Sequence, residues 1–110
     1  MARETGKTGY KAKLVQKLKR EFPGCLIIHN NPNETHQGIP DLTIISGSRW
    51  GMLEVKASAS SKQQPNQEYW IDFYNQESFA SFIYPENEEE VLHALQTTFR
   101  SSRNARNSKS

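Results

Sequence analysis

Gly38-Ile39-Pro40-Asp41-Leu42-Thr43-Ile44-Ile45, the turn Ser46-Gly47-Ser48-Arg49, and then Trp50-Gly51-Met52-Leu53-Glu54-Val55-Lys56 decide how this chain folds. Leu42 to Ile45 is an apolar run of strand length, and Trp50 to Lys56 is a second. So short a connection predicts an antiparallel hairpin. Side chains alternate along a strand, so Glu54 and Lys56 point to one face and Leu53 and Val55 to the other. The hairpin brings Asp41, at the mouth of the first strand, to Glu54 at one end of the sheet. Two carboxylates so placed suit a hard divalent cation held through oxygen. A Glu-x-Lys pair is common on exposed strand edges, where it contributes almost nothing. Pro40-Asp41 on the preceding strand sets this pair apart.

Outward from the hairpin, the pattern predicts helices on both sides. Leu14, Leu18 and Phe22, spaced by four with Val15 beside them, predict a helix over Tyr10–Phe22, and Pro23-Gly24 stops it. Cys25-Leu26-Ile27-Ile28 reads as a buried strand, and Asn30 to Gly38 as a polar loop. After the hairpin, Ala57 to Gln64 is a Ser/Lys/Gln linker. Pro65 then opens a helix of roughly 66–76, with Trp70, Phe73 and Tyr74 on one face. Phe79 to Tyr84 is a fourth strand, and a last helix follows Pro85 with Val91, Leu92, Leu95 and Phe99 on its inner side. Glu86, Glu88, Glu89 and Glu90 in its first turns complement the helix dipole, so that acidic cluster is expected to be structural. The order is α-β-β-β-α-β-α, an α/β fold with a mixed four-stranded sheet flanked by helices. The chain divides into a flexible basic arm (1–9), one domain (10–99) and a disordered basic tail (100–110).

Charge is distributed unevenly along the 110 residues. Residues 1–20 carry +6, residues 21–99 carry −8, and residues 100–110 carry +4, for a net +2. Basic ends around an acidic centre fit a protein whose arms hold a polyanion and whose centre holds cations. Lys7, Lys11, Lys13, Lys17, Arg103 and Arg106 are the candidate phosphate contacts. No stretch approaches the roughly 18 apolar residues of a membrane span, so no membrane association is expected. Cys25 is the only cysteine, which excludes an intrachain disulfide and a thiolate zinc site. With no apolar run behind Met1-Ala2-Arg3-Glu4, the expectation is an intracellular, cytoplasmic protein.

The residues at the hairpin mouth suit phosphodiester hydrolysis. Mg²⁺ held by Asp41 and Glu54 would polarise a phosphate and acidify a bound water. Lys56 would orient that water, take its proton, or stabilise charge on phosphorus. His29 and His36 flank the preceding loop as lone histidines and are not expected to be ligands.

Three stretches carry a resemblance. Gly38-Ile39-Pro40-Asp41, then Leu53-Glu54-Val55-Lys56, then Pro65-Asn66-Gln67-Glu68-Tyr69-Trp70 resemble the virus-type replication-repair nuclease (VRR-NUC) branch of the PD-(D/E)XK superfamily. The likeness continues through Phe82-Ile83-Tyr84-Pro85 and Glu89-Glu90-Val91-Leu92 and covers about residues 10–96. It implies the restriction-endonuclease-like fold, divalent-metal dependence with Mg²⁺ or Mn²⁺, and DNA cleavage. It also implies Gln67 as a catalytic-site residue, acting on substrate or water through its amide, and the Val55 backbone carbonyl as a further metal ligand. Stand-alone members of this size look phage-encoded and dimeric, which points to a phage protein in a bacterial host, a homodimer, and branched DNA such as a Holliday junction as substrate.

The sequence departs from its relatives at one place. They often carry a glutamate on the first helix, in the slot that Lys11 fills here, so the third acid is left between Glu21 and Glu4. Trp50, Tyr69, Trp70, Phe73 and Tyr74 are many large aromatics for so small a core, and they give the homodimer a physical motive. Two other readings stand beside a structure-selective endonuclease. One is a non-catalytic nucleic-acid-binding module on the same fold. The other is a simple nickase or site-specific endonuclease, and no residue excludes RNA as substrate.

Overall fold

The computed structural model describes residues 6–31 and 37–108, with side chains as far as Arg100. Helix α1 spans Gly6–Glu21, followed by strands β1 (Leu26–His29), β2 (Leu42–Ser46) and β3 (Arg49–Val55). Helix α2 (Gln67–Glu77), strand β4 (Ala80–Ile83), a single 3₁₀ turn (Pro85–Asn87) and helix α3 (Glu88–Ser108) complete the chain. The order matches the expected α-β-β-β-α-β-α. Among the described residues no helix is long and apolar enough to cross a membrane.

The four strands form one sheet in the order β1-β2-β3-β4. β1 to β3 are antiparallel neighbours, and β4 returns parallel to β3 after the crossover through α2. The hairpin register pairs Leu42 with Leu53 and Ser46 with Arg49. One residue further along, Asp41 comes level with Glu54, as the alternation requires.

Two apolar layers hold the sheet. On one face Leu42, Ile44, Leu53, Val55 and Ile83 pack with Leu14, Leu18 and Phe22 of the α1 segment and with Val91, Leu92, Leu95 and Phe99 of α3. Phe22 and Phe99 meet edge to face, ring centroids 5.4 Å apart. Gly51 makes room for α3: a Cβ there would lie 2.7 Å from Leu95 Cδ1. On the other face a smaller layer joins Met52, Ile71 and Ala80, with Ile39, Trp50, Tyr74 and Phe82 beside them. Burying such side chains stabilises a fold by about 1.5–3 kcal/mol each.

The acidic start of α3 is structural, as expected. Tyr10 Oη donates to Glu88 Oε1 at 2.7 Å, and Lys17 Nζ donates to Glu88 Oε2 at 2.6 Å. This clamp fixes α1 against α3. It engages Lys17, which the sequence had placed among the phosphate-binding lysines.

Several boundaries differ from expectation. α1 starts at Gly6, so part of the expected flexible arm is its first turn. α3 runs past Phe99 to Ser108, so the helical backbone continues into the segment expected to be disordered. The side chains of Arg103 and Arg106 lie outside the described residues, as do residues 1–5, with Glu4, and 32–36, with His36. β1 is not a buried strand: only Ile27 faces the larger core, and Leu26 is 58% exposed. The reason is geometric. α2 packs across β3 and β4 and leaves the edge strand β1 uncovered on that face.

Candidate active site

Asp41, Glu54, Lys56 and Gln67 meet where β2, β3 and α2 converge. Asp41 stands just before β2, and its Oδ2 accepts from the Val55 backbone N–H at 3.0 Å. That bond ties the carboxylate to the neighbouring strand beyond the end of the hairpin ladder. Asn30 supports the same corner from β1's end. Its backbone N–H donates to the Asp41 carbonyl at 2.7 Å, and its Nδ2 to the Pro40 carbonyl at 3.0 Å and Thr43 Oγ1 at 2.8 Å. Nothing in the local sequence marks Asn30 as a brace for Pro40, ten residues on.

Glu54 is 1% exposed. Its Oε2 accepts from Gln67 Nε2 at 2.7 Å, while its Oε1 is buried with no hydrogen-bond partner. Lys56, also buried, donates to Gln67 Oε1 at 2.6 Å and to the Lys62 carbonyl at 3.0 Å, and its ammonium lies 5.9 Å from the Phe82 ring centre. One side-chain amide therefore bridges the buried carboxylate and the buried ammonium. The Gln64 backbone N–H also donates to Gln67 Oε1 at 2.8 Å and fixes the amide's orientation.

Glycine at position 38 makes this convergence feasible. Its φ is +88°, which other residues rarely adopt, and a Cβ would lie 2.9 Å from the backbone of Pro65 and Asn66. The loop before Asp41 thus sits directly on the start of α2. Trp70 Nε1 donates to the Gln37 carbonyl at 2.9 Å and joins the same two segments.

Lys7 was not expected here. From the first turn of α1 its Nζ reaches Asp41 Oδ2 at 3.0 Å and Glu54 Oε2 at 3.5 Å. Sequence reading assigned it to the phosphate-binding arm, because the helix was taken to start at Tyr10. Lys7 and Lys11 lie one helical turn apart, so α1 brings a base, not an acid, to the carboxylate pair. Glu21 does not join the group: at the helical rise it lies about 21 Å along α1 from Lys7. Among the described residues no three acidic, histidine or cysteine side chains form a metal cluster.

The electrostatics follow from burial. Burial, and then the charge of Asp41, push the Glu54 carboxyl up to about 7, against the opposing pull of Lys7 and Lys56. Burial lowers the Lys56 ammonium, and Glu54 offsets part of that. Burial would also lower Lys7, but its hydrogen bond and attraction to Asp41, together with Glu54, outweigh this and raise it. A cavity of about 500 Å³ opens over Asp41, Glu54, Gln67 and Lys7.

A divalent cation fits this donor set. An ionised carboxylate only accepts, so the buried Glu54 Oε1 lacks a donor or a cation. Asp41, which lines the same cavity and whose charge Glu54 feels, supplies further hard oxygen donors.

No family model and no curated protein matches the chain. A solved structure described as a VRR_NUC domain does match, with a TM-score of 0.50 and 21% sequence identity, covering 66% of this chain and 81% of that one. At this identity the likeness is one of fold: the chain, with its mixed four-stranded sheet and flanking helices, has the fold of that VRR_NUC domain structure.

Proposed function

We propose that the chain is a divalent-metal-dependent nuclease of the PD-(D/E)XK type that hydrolyses phosphodiester bonds in DNA. The observation that carries this reading is the buried, unpartnered Oε1 of Glu54, a residue that lines one cavity with Asp41 and Gln67. Buried polar atoms are mostly hydrogen-bonded, so an orphaned carboxylate oxygen calls for an explanation that a structural ion pair does not give. Asp41, Glu54 and the Val55 carbonyl would hold Mg²⁺ or Mn²⁺. When bound, the cation supplies positive charge to the phosphate and acidity to water.

The chain's own residues do the rest. Gln67 fixes the orientation of Glu54 through Nε2 and of Lys56 through Oε1. Lys56, with its pKa lowered by burial, is suited to exchange a proton with the attacking water or to neutralise charge on the reacting phosphate. Lys11 and Lys13 on α1, with Arg103 and Arg106 on α3, would contact flanking phosphates. A homodimer acting on branched DNA during phage replication or repair is the finer reading. Its support is the exposed aromatic pair on α2 and the uncovered face of β1.

The ion pair of Lys7 with both carboxylates favours a second reading, a DNA-binding module in which Lys7 has replaced the cation for good. One experiment separates the two. Purified protein is incubated with linear, nicked and four-way DNA in Mg²⁺, Mn²⁺ or EDTA. Cleavage in either metal, absent in EDTA and in Asp41→Ala and Glu54→Ala, supports the nuclease. Binding without cleavage under every condition supports the module, and cleavage surviving in EDTA removes the metal mechanism.

A further inference from the structure

We propose that Lys7 is a resident counter-ion which holds the Asp41–Glu54 pair between metal-binding events, and that a divalent cation enters by displacing it. This rests on the metal-dependent reading above.

The geometry points to exchange rather than coexistence. Lys7 Nζ lies 3.0 Å from Asp41 Oδ2 and 3.5 Å from Glu54 Oε2. A cation coordinated at roughly 2.0–2.6 Å by the same oxygens would occupy the same space. Charge count agrees. Asp41 and Glu54 ionised, with Lys7 and Lys56 charged, sum to zero. A dication added without a departure would leave +2 in a low-dielectric pocket, where like charges a few ångströms apart repel strongly.

The carboxylate pair accounts for the position of Lys7. A lysine in the first turn of a helix opposes the helix dipole, and α1 has no acid in that turn to offset it. Asp41 and Glu54 supply the missing negative charge. Nor is this an ordinary surface pair of negligible strength, because Glu54 is 1% exposed. The Lys7 side chain is 44% exposed, and its four-carbon stem is anchored at the cavity rim, so the ammonium has a path to solvent.

The test uses Ca²⁺ as probe ion on the full chain, by titration calorimetry of wild type, Lys7→Gln and Lys11→Gln. Removing the competitor should tighten Ca²⁺ binding in Lys7→Gln by about tenfold, a gain of about 1.4 kcal/mol. Lys11→Gln, on the same helix but outside the ion pair, should stay within about twofold. In parallel, reductive methylation of wild type followed by mass spectrometry reads the reactivity of Lys7 itself, which should rise when Ca²⁺ saturates the protein. Equal affinity in wild type and Lys7→Gln, equal tightening in Lys11→Gln, or unchanged Lys7 reactivity at saturation overturns the exchange and leaves the proposed nuclease standing. No Ca²⁺ binding to any of the three proteins overturns the metal site and the exchange together.

Discussion

Gln67 grips Glu54 through a 2.7 Å hydrogen bond from Nε2 to Oε2, and the same amide's Oε1 accepts from Lys56 at 2.6 Å. An amide is the side chain suited to this position, because it presents one donor and one acceptor in a fixed plane. A carboxylate would repel Glu54, and an apolar residue would remove one hydrogen bond from each buried charge.

Gln67→Ala should therefore lower cleavage by about 10–100-fold, the usual cost of losing a residue that orients a metal ligand. Gln67→Glu should lose at least as much, because a third carboxylate is set beside Glu54 and Asp41. Single-turnover rates at saturating Mn²⁺ check both. A Gln67→Ala protein with wild-type rates would make the bridge a packing contact only.

How legible this site was depended on where each contact originates. Asp41, Glu54, Lys56 and the hairpin joining them were readable because strand alternation and a two-residue turn are local rules. Gln67 came from the likeness of its Pro65-Asn66-Gln67 context, and its place between Glu54 and Lys56 was not readable from spacing. The reach of Lys7 into the site was not readable, because the α1 start carries no apolar residue that would extend the helical period back from Tyr10. The exposure of Leu26 was missed for another reason. An apolar run looks the same on a central strand as on an edge strand, and only the placement of α2 over β3 and β4 distinguishes them.

The Glu54 carboxyl sets a pH dependence whose sign is fixed. Its folded-state value of about 7 lies above the ordinary 4.5, so between those values the folded protein holds a proton that the unfolded chain releases. Stability from this group is full below about 4.5 and is lost as pH rises through about 7. In EDTA, Glu54→Gln should melt at a higher temperature than wild type at pH 8, and the gap should close by pH 5. Scanning calorimetry at the two pH values decides it. A gap that widens on acidification would reverse the assignment.

Gly38 joins the two halves of the site, and its replacement should cost both stability and activity. Gly38→Ala meets two obstacles, a φ of +88° and atoms of Pro65 and Asn66 at 2.9 Å. Strain of this kind costs on the order of 1–3 kcal/mol. The loop should separate from the start of α2, moving Asp41 relative to Gln67. Denaturant titration should show the loss, and cleavage should fall further than the unfolded fraction accounts for. A Gly38→Ala protein as stable and as active as wild type would show that this contact is not tight.

The last prediction concerns assembly. Trp50 and Tyr74 meet edge to face within the smaller apolar layer, and Trp70 stacks on Tyr74, so these three aromatics are accounted for inside the monomer. Tyr69 meets Trp70 edge to face, and Phe73 meets Trp70 and Tyr74 likewise, yet both stay exposed. One turn apart on α2, they stack with ring centroids 6.3 Å apart, and they are 60% and 42% exposed. Aromatic residues are enriched at interface centres, and a twofold-related copy would place two active sites together for cutting two strands. Sedimentation equilibrium at micromolar concentration should give about twice the 12.6 kDa chain mass. Tyr69→Ser with Phe73→Ser should bring it to the monomer value without lowering the melting temperature of the isolated chain. A wild-type mass of one chain across the range would remove the dimer, and with it the reason to prefer branched DNA over a nicked duplex as the product-determining substrate. A dimer that survives the double substitution would move the interface to the uncovered face of β1, around Leu26 and Ile28.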